Sequence, residues 1–437
     1  MTKRIVSLMF ALLFFAVCLV PTVGLALTGG ARAGANEVLA AKPVWTKRDG
    51  SVNADYLADL ADYIGDRFFL RQEAVTAWAK LNAALFRTSV TEDVILGADG
   101  WLYYAPTLGD YTRSEPMTAR ALWCAARTVY LLQEYAESRG GDFLFTIAPN
   151  KNSLYTAAMP GYPAANRPSN AEALRVYLTE MGVNYLDLFA VFENESEVLY
   201  FPTDSHWNAK GAALSADAIL SSLRRGSRWY AGPFSPGEHK GDLYEMLYPA
   251  GKELDADWVY SPGFSFTANT QNPDNQRIIT EGPGEGSLLL YRDSFGRNLY
   301  PYLAESFRQA EFSRKTSYDA TALPAGGALV IELVERNLRY LNTYAPVLPA
   351  PEREIALLPE ASLGELPIRM ENGSVTGVFG ELTPDDDSPV YLAVGAALYE
   401  AVPQPGGFTA MLPESDGDLT VLFTAQGELV SLRGIME

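Results

Sequence analysis

Hydrophobic positions in the central part of the chain recur with two alternating periods, and this alternation predicts the architecture. Short apolar runs of strand length are followed by stretches with helical spacing. Strands that alternate with helices indicate an α/β fold, with a mostly parallel sheet covered by helices on both faces. The predicted strands are 142–148, 184–188, 288–291, 309–313 and 328–333, and the predicted helices are 117–138, 169–181, 208–223, 297–306 and 335–341.

The pattern is different on either side of this region. Residues 55–86 have helical periodicity, and residues 94–104 predict a hairpin with Asp99-Gly100 at its turn. A proline-rich linker is expected at 346–352. Beyond it, at 353–437, residues alternate with period two, which is typical of a small all-β domain, most simply a sandwich. The turn signals of this domain lie at 371–373, 405–407 and 415–417.

The N-terminal 33 residues have the pattern of an export signal. Lys3 and Arg4 precede an apolar run, Ile5–Leu27, that is long enough to span a bilayer. Residues 31–33 have the small-x-small spacing of a cleavage site. The segment is therefore either a cleaved signal peptide or an uncleaved signal anchor, and a buried helix of the domain is the alternative. Both export interpretations place the remainder outside the cytoplasm: anchored in the cell membrane and facing outward, periplasmic or secreted.

Charge and composition exclude several classes of partner. The 437 residues carry a net charge of −19, so nucleic acid is not expected, because phosphate binding needs clustered Lys and Arg. Cys18 lies in the apolar run and Cys124 in a predicted helix, so the two do not form a disulfide framework. The sequence has no Cys/His cluster with the spacing of metal ligands, and we expect no metal and no cofactor.

The candidate chemistry lies in two short segments. The chain has only two histidines, and His206 follows Asp204 by two residues. About ninety residues later, the apolar run 287–291 ends just before Ser294 and a predicted helix. Serine acyl chemistry requires such a set, because the hydroxyl needs a base and a carboxylate fixes the tautomer of that base. We expect Ser294 to attack an acyl carbonyl, His206 to act as general base and then acid, and Asp204 to orient the imidazole.

Each of these residues also has a simpler interpretation. Ser294 or Asp293 can cap the following helix, and Asp204 can cap the helix predicted at 208–223. His206 can be a hydrogen-bonded residue of the core. The joint occurrence favours catalysis, because both segments lie where strands lead into helices, at the sheet edge that faces the ligand crevice.

Other polar residues near strand ends are candidates for contact with a substrate or an oxyanion: Arg336, Asn337, Arg292, Tyr318 and Lys151. The first two follow the strand 328–333, which we expect beside the serine strand, and a solvated helix start is their alternative. A purely structural role is the simpler interpretation of the other three. His239 lies in a Pro-Gly-Glu-His-Lys loop and is most simply a surface residue.

These motifs resemble the SGNH hydrolase-like proteins of the DHHW and alginate O-acetylation (AlgX/AlgJ-like) type. The segment 204–207, Asp-Ser-His-Trp, is similar to the family's Asp-His-His-Trp element, and 292–296, Arg-Asp-Ser-Phe-Gly, to its Gly-Asp-Ser-Phe block. Segments 97–104 and 148–155 are also similar, so the resemblance covers roughly residues 37–345. Ser205 and Arg292 depart from the family pattern, which has a histidine and a glycine at these places.

The resemblance implies a permuted, flavodoxin-like SGNH hydrolase domain in which the Asp-x-His element precedes the serine. It assigns Asp204, His206 and Ser294 to the triad. Proteins of this type act outside the cytoplasm, and the alginate type moves acetyl groups onto an exopolysaccharide. A membrane-bound O-acyltransferase supplies the acetyl group to them.

We therefore expect an exported O-acetyltransferase that acts on a cell-surface or secreted polysaccharide through an acyl-serine intermediate. Two alternatives stay open. One is a carbohydrate O-acetyl esterase, in which water takes the acyl group in place of a sugar hydroxyl. The other is a non-catalytic glycan-binding or assembly protein in which the triad is a relic.

Overall fold

The computed structural model describes residues 2–31, 38–354, 364–371, 373–413 and 418–436. The cleavage site at 31–33 and the turns at 371–373 and 415–417 fall wholly or partly outside these ranges. The α-helices are α1 (Thr2–Thr28), α2 (Tyr56–Arg67), α3 (Arg71–Phe86), α4 (Leu108–Thr112), α5 (Ala119–Ser138), α6 (Lys151–Leu154), α7 (Asn170–Glu180), α8 (Leu188–Glu193), α9 (Ala209–Ser222), α10 (Asp242–Leu247), α11 (Gly296–Ser306) and α12 (Tyr340–Thr343). The strands are β1 (Val94–Leu96), β2 (Leu102–Tyr104), β3 (Asp142–Ala148), β4 (Tyr185–Leu186), β5 (Phe234–His239), β6 (Asp255–Tyr260), β7 (Thr267–Ala268), β8 (Arg277–Glu281), β9 (Ser287–Tyr291), β10 (Gln309–Ser313), β11 (Ala328–Val334), β12 (Gly364–Glu371), β13 (Ser374–Val378), β14 (Tyr391–Val394), β15 (Ala397–Glu400), β16 (Val402–Gln404), β17 (Gly407–Ala410), β18 (Leu419–Ala425) and β19 (Glu428–Met436).

A seven-stranded sheet in the order β4-β3-β11-β9-β10-β8-β7 forms the centre of the α/β part. The first five strands of this order are parallel, and β8 and β7 are antiparallel additions at one edge. Every residue of β11 is buried, because its apolar side chains pack into a core on each face of the sheet. The mostly parallel, two-sided α/β architecture is therefore confirmed, and β11 lies beside the serine strand β9 as expected.

Two predicted helices differ in the structure. The helical region 55–86 is two helices, because the chain turns between α2 and α3, where Leu70 has a φ of 66°. The segment after β11 forms a 3₁₀ turn at Glu335–Asn337 before the short α12. The Glu335 side chain is buried and accepts hydrogen bonds from the Asn150 amide (3.0 Å) and the Ser153 hydroxyl (2.6 Å). Those contacts turn the first residue of the predicted helix into the protein.

The C-terminal part is all-β, as predicted, but its described strands form one eight-stranded sheet in place of a sandwich. The order is β15-β14-β18-β19-β12-β13-β17-β16. The edge strands β15 and β16 are consecutive in the chain and separated only by Ala401, so the sheet curls until its edges approach and form a near-barrel. Period-two alternation fixes which face of each strand is buried, and it is the same for a sandwich and for a curled sheet. The sequence pattern therefore could not distinguish them.

The proline-rich segment lies against both parts of the protein, and a buried ion cluster sits beside it. Val347 pairs with Asp319 of the α/β part, and Glu352 pairs with Tyr399 of the β part. The Glu400 carboxylate is fully buried and accepts hydrogen bonds from Arg127 of α5 at 2.6 and 2.7 Å. Arg353 donates to the same carboxylate at 2.7 Å.

We expect the buried Glu400 carboxylate to contribute to stability by joining the β part to α5. Glu400→Gln should lower the free energy of unfolding by about 3 kcal/mol, because it leaves two arginines facing a neutral amide in a buried place. The matched control is Glu134→Gln, since Glu134 binds Arg353 with a side chain that is 32% exposed. That control should cost less than about 1 kcal/mol. Urea unfolding followed by circular dichroism measures both, and equal losses would contradict the assignment.

Candidate active site

Ser294 lies in the turn between the end of β9 and the start of α11. Asp293 fixes this turn: its Oδ1 accepts from the Phe295 amide at 2.9 Å, and its Oδ2 accepts from the Val334 amide at 2.7 Å. The neighbouring strand ends β9 and β11 are thereby tied together. The Ser294 hydroxyl is half-buried, and its Oγ lies 2.8 Å from Nε2 of His206.

Asp204 is a buried carboxylate whose two oxygens bind two different histidines. Its Oδ1 accepts from the backbone amide of His206 at 2.9 Å and lies 2.7 Å from Nδ1 of the same residue. Its Oδ2 lies 2.7 Å from Nε2 of His239 and accepts from the Asp242 amide at 3.0 Å. Helix α9 is instead capped by Asn208, whose side chain accepts from the Gly211 amide. The structure thus gives Asp204 no part in capping that helix.

The electrostatics of Asp204 follow from these contacts. Burial by itself raises the pKa of the carboxyl, but the charge and hydrogen bonds of His206 and His239 outweigh burial and hold the pKa well below its ordinary value. Asp204 is therefore ionised at neutral pH. In this state it accepts a hydrogen bond from Nδ1–H of His206, so Nε2 is the ring nitrogen that can accept a proton from the Ser294 hydroxyl.

Lys151 binds the backbone of the Asp-x-His segment and of the residues before it. It is 4% exposed, and its ammonium group donates to the carbonyl oxygens of Phe201, Pro202 and Asp204 at 3.0, 2.9 and 2.5 Å. Burial lowers the pKa of Lys151 to about 7. The predicted contact of Lys151 with a substrate does not fit the structure, because the ammonium group is buried against the protein's own backbone.

Arg292 and Tyr318 are also buried and are not positioned to contact a substrate. The Arg292 guanidinium donates to the carbonyl oxygens of Pro273 at 2.7 Å and Asn275 at 3.3 Å, so it supports the loop before β8. Burial lowers the pKa of Arg292 to about 10. Tyr318 is 4% exposed and packs against Tyr291, with the ring centroids 5.1 Å apart. Arg292 and Tyr318 therefore have the purely structural role that was the simpler interpretation of the sequence.

Arg336 and Asn337, in the 3₁₀ turn after β11, lie near the turn that carries Ser294. The half-buried Arg336 guanidinium lies over the Phe295 ring, 5.3 Å from its centroid, and that ring packs against the His206 imidazole at 4.8 Å. Asn337 donates to Oδ2 of Asp293 at 3.2 Å and so helps to hold the serine turn. Arg336 thus remains a candidate for substrate contact, whereas Asn337 acts through Asp293.

The sequence analysis treated His239 as a surface residue; its side chain is 29% exposed, but the ring also binds Asp204, which the sequence did not indicate. His239 ends β5, where it pairs with Asp255 of β6, and its ring stacks on Phe201 with the centroids 4.1 Å apart. Burial lowers the pKa of His239, but the hydrogen bond and the charge of Asp204 outweigh it, and the net shift is upward. The signal in the sequence was the scarcity of histidine: the two histidines of the chain bind one carboxylate.

Asp242 is a further member of the site that the sequence did not indicate. Its Oδ2 accepts from the Ser205 hydroxyl at 2.7 Å and lies 3.5 Å from Nδ1 of His206. Burial, followed by the charge of Asp204, raises the pKa of Asp242. Ligand atoms of Asp204, His206 and Asp242 lie within 4.8 Å of one another, but a metal ion there would have to displace the hydrogen bonds that join Asp204 to His206.

Comparison with known proteins identifies the domain. Residues 94–282, which include both histidines, Asp204 and Asp242 but end before Asp293 and Ser294, match the family model "SGNH hydrolase-like domain, acetyltransferase AlgX". This region of the chain is therefore similar to the AlgX-type SGNH hydrolase-like domain. The family resemblance of the motifs is therefore confirmed.

Individual relatives of the AlgX-type domain are distant. The chain is 24% identical over 194 residues to the probable alginate O-acetylase AlgJ of Pseudomonas putida, covering 41% of this chain and 48% of the relative. It thus spans about half the length of that relative. Bacillus cereus PatB1 is similar at a TM-score of 0.43 and 16% identity, over 56% of this chain and 99% of PatB1. Pseudomonas aeruginosa AlgX is similar at a TM-score of 0.38 and 15% identity, over 78% of this chain and 89% of AlgX. These TM-scores are too low to establish a shared fold, so the family match rests on the sequence.

The bond between His239 and Asp204 predicts a pH-dependent contribution to stability. Because folding raises the pKa of His239, the folded chain binds its proton more tightly than the unfolded chain does. The contribution is complete below the unfolded-state pKa of about 6.5 and is lost as pH rises through the folded-state pKa. His239→Gln keeps an N–H donor and removes the charge, so wild type should exceed this variant in unfolding free energy at low pH and approach it at high pH.

Urea unfolding between mildly acidic and mildly alkaline pH measures this difference. The matched control is Lys240→Gln, the next residue along the chain, whose ammonium binds Glu245 at 3.3 Å. The difference in unfolding free energy between wild type and Lys240→Gln should stay constant across the titration range of histidine. A gap between wild type and His239→Gln that stays constant or widens as pH rises would contradict the prediction.

Proposed function

We propose that this protein is an extracytoplasmic O-acetyltransferase that acts on a polysaccharide through an acetyl-serine intermediate. The observation that carries the proposal is the 2.8 Å contact between Ser294 Oγ and His206 Nε2, with Asp204 bound to the other ring nitrogen. A carboxylate, an imidazole and a hydroxyl in this order form the arrangement that activates a serine nucleophile. The names of the relatives, an alginate O-acetylase and an acetyltransferase, support acetyl as the group transferred.

The first half of the reaction forms the intermediate. His206 Nε2 takes the proton of the Ser294 hydroxyl while Oγ attacks the carbonyl carbon of the acetyl donor. Asp204 accepts the hydrogen bond from Nδ1–H throughout, remains ionised and stabilises the imidazolium that forms. When the tetrahedral intermediate collapses, the bond from the carbonyl carbon to the donor oxygen breaks, and Nε2 returns the proton to that oxygen. The acetyl group is then an ester of Ser294.

The second half repeats these steps with a sugar hydroxyl in the place of the serine. Nε2 takes the proton of the sugar hydroxyl, whose oxygen attacks the acetyl-serine carbonyl. Oγ of Ser294 then leaves and receives the proton. We assign Arg336 to the substrate side, because its cation lies over Phe295 beside the imidazole. His239 is assigned the role of holding the second oxygen of Asp204.

We further propose an organisation that fits this role. Residues 1–33 would be the signal peptide or anchor, 37–345 the acetyltransferase domain in its permuted, flavodoxin-like form, 346–352 the linker and 353–437 the β domain. The acetyl donor would be relayed by a membrane-bound O-acyltransferase. The apolar helix α1 is long enough to cross a bilayer, and a signal sequence has the same property.

The intermediate can be tested directly by mass spectrometry after incubation with p-nitrophenyl acetate. We expect one acetyl group on the peptide that contains Ser294 in wild type and none there in Ser294→Ala. His206→Gln should slow acylation by on the order of 10³-fold or more, because the general base is lost. Ser313→Ala is the matched control, since Ser313 ends the adjacent strand β10. Absence of acetyl from Ser294 in the folded wild type would favour the non-catalytic alternative.

The partition of the acetyl group separates a transferase from an esterase. With alginate oligomers as acceptor, a transferase should give acetylated oligomer at the expense of free acetate as the acceptor concentration rises. Product ratios can be measured by mass spectrometry and acetate assay on the same pre-acetylated protein. Release of acetate alone at all acceptor concentrations, and with oligomers of other polysaccharides, would identify the esterase alternative.

A further inference from the structure

Helix α3 is docked on the protein by one side and exposes an apolar stripe on the other. Its buried residues Thr76 and Ala79 face the protein, where Ala79 packs with the β1–β2 hairpin and α10. On the opposite side, Trp78, Leu81 and Leu85 are 59%, 48% and 64% exposed. These positions are three and four residues apart, so they lie along one face of the helix. Large apolar side chains that form a continuous exposed stripe indicate a contact surface.

The start of α3 is held against the apolar helix α1. The Phe69 amide, in the turn before α3, donates to the Pro21 carbonyl oxygen of α1 at 3.1 Å. The Phe69 side chain also occupies the place of a side chain at Gly24, where an added Cβ would come within 2.4 Å of it. Both contacts lie within the apolar span Arg4–Thr28, whose residues are not buried by the rest of the protein. A bilayer crossed by α1 therefore reaches the level of the turn that begins α3.

The side chains of α3 have the chemistry of a membrane–water interface. Trp78 belongs to the residue types that are enriched at that depth, and leucines supply the apolar face. The basic residues of the helix lie elsewhere on it: Lys80 binds Glu253 at 3.1 Å, and Lys80 and the C-cap residue Arg87 line a cavity between α3 and the rest of the protein. Residues 38–90 together carry seven Lys or Arg and six Asp or Glu, whereas the whole chain has a net charge of −19. Residues 38–90 are thus nearly neutral, and an anionic lipid surface does not repel them as it repels the acidic remainder of the chain.

We propose that α3 lies in the outer membrane–water interface of the bilayer that α1 crosses, with its Trp78 stripe (Trp78, Leu81 and Leu85) in contact with lipid. A lipid surface fits better than a second copy of the chain, because the turn that begins α3 is bound to a helix that is itself of membrane-spanning length and composition. The consequence for the site is geometric. Helix α10, which packs on the buried side of α3, begins at Asp242 beside His206, so the reacting groups are held at a fixed height above the bilayer.

Depth-dependent quenching in lipid nanodiscs tests this placement with the full chain. In a Cys18→Ser, Cys124→Ala background, Leu81→Cys is labelled with an environment-sensitive fluorophore and compared in brominated and ordinary lipid. We expect brominated lipid to reduce the emission of the label at position 81. The matched control is Val176→Cys, since Val176 is an apolar residue of α7 with a similar exposure of 54%. The label at position 176 should keep its emission.

A second variant tests whether the stripe itself causes the contact. Trp78→Glu with Leu85→Glu should reduce quenching at position 81 to the level of position 176, while circular dichroism and acylation of Ser294 stay unchanged. Equal emission at positions 81 and 176 in wild type would overturn the proposal. So would cross-linking between two chains through position 81 without quenching, which would make the surface an interface between copies. Acylation of Ser294 is measured separately, so failure of the membrane placement is distinguishable from failure of the enzymatic proposal.

Discussion

The buried carboxylate of Asp204 is the interaction around which the site is organised. An isolated charge in such a place would be neutralised or excluded, because burial removes it from water. Here both oxygens receive donors from three parts of the chain: the histidine two residues later, the end of β5 and the first residue of α10. Satisfying this one group fixes the β5–β6 hairpin and α10 against the segment that carries His206. The orientation of the imidazole follows from that arrangement.

The central sheet supplies the other half of the geometry. In a parallel sheet the carboxyl ends of neighbouring strands meet at one edge, so turns distant in sequence lie side by side. The Asp293 side chain joins two such neighbouring ends, because it binds the turn after β9 and the end of β11. The serine hydroxyl is then directed toward His206 by a backbone that cannot relax independently. Lys151 has the corresponding role on the other side, where three carbonyl oxygens converge on its ammonium group.

Charged residues therefore serve two purposes in this chain, and burial distinguishes them. Lys151, Arg292 and Glu400 are buried and bind other groups of the protein, where they fix loops and join the β part to α5. Arg336 is half-buried over the Phe295 ring, which packs against the His206 imidazole. All four are ordinary charged residues in the sequence. What separates Arg336 from the other three is the depth at which the fold places it, which leaves its guanidinium partly accessible.

The sequence by itself determined the periodic elements and the local motifs. Alternating strand and helix patterns predicted the α/β sheet, because a parallel strand that is buried on both faces is a nearly continuous apolar run. Asp204 and His206 could be paired because they are two residues apart, and Ser294 because it ends a strand pattern. Only the tertiary structure decided that His239 shares the carboxylate, that Arg292, Lys151 and Tyr318 are buried, and that the C-terminal sheet curls into a near-barrel. These outcomes depend on which distant segments pack together, and a one-dimensional pattern contains burial periodicity but no partner for each face.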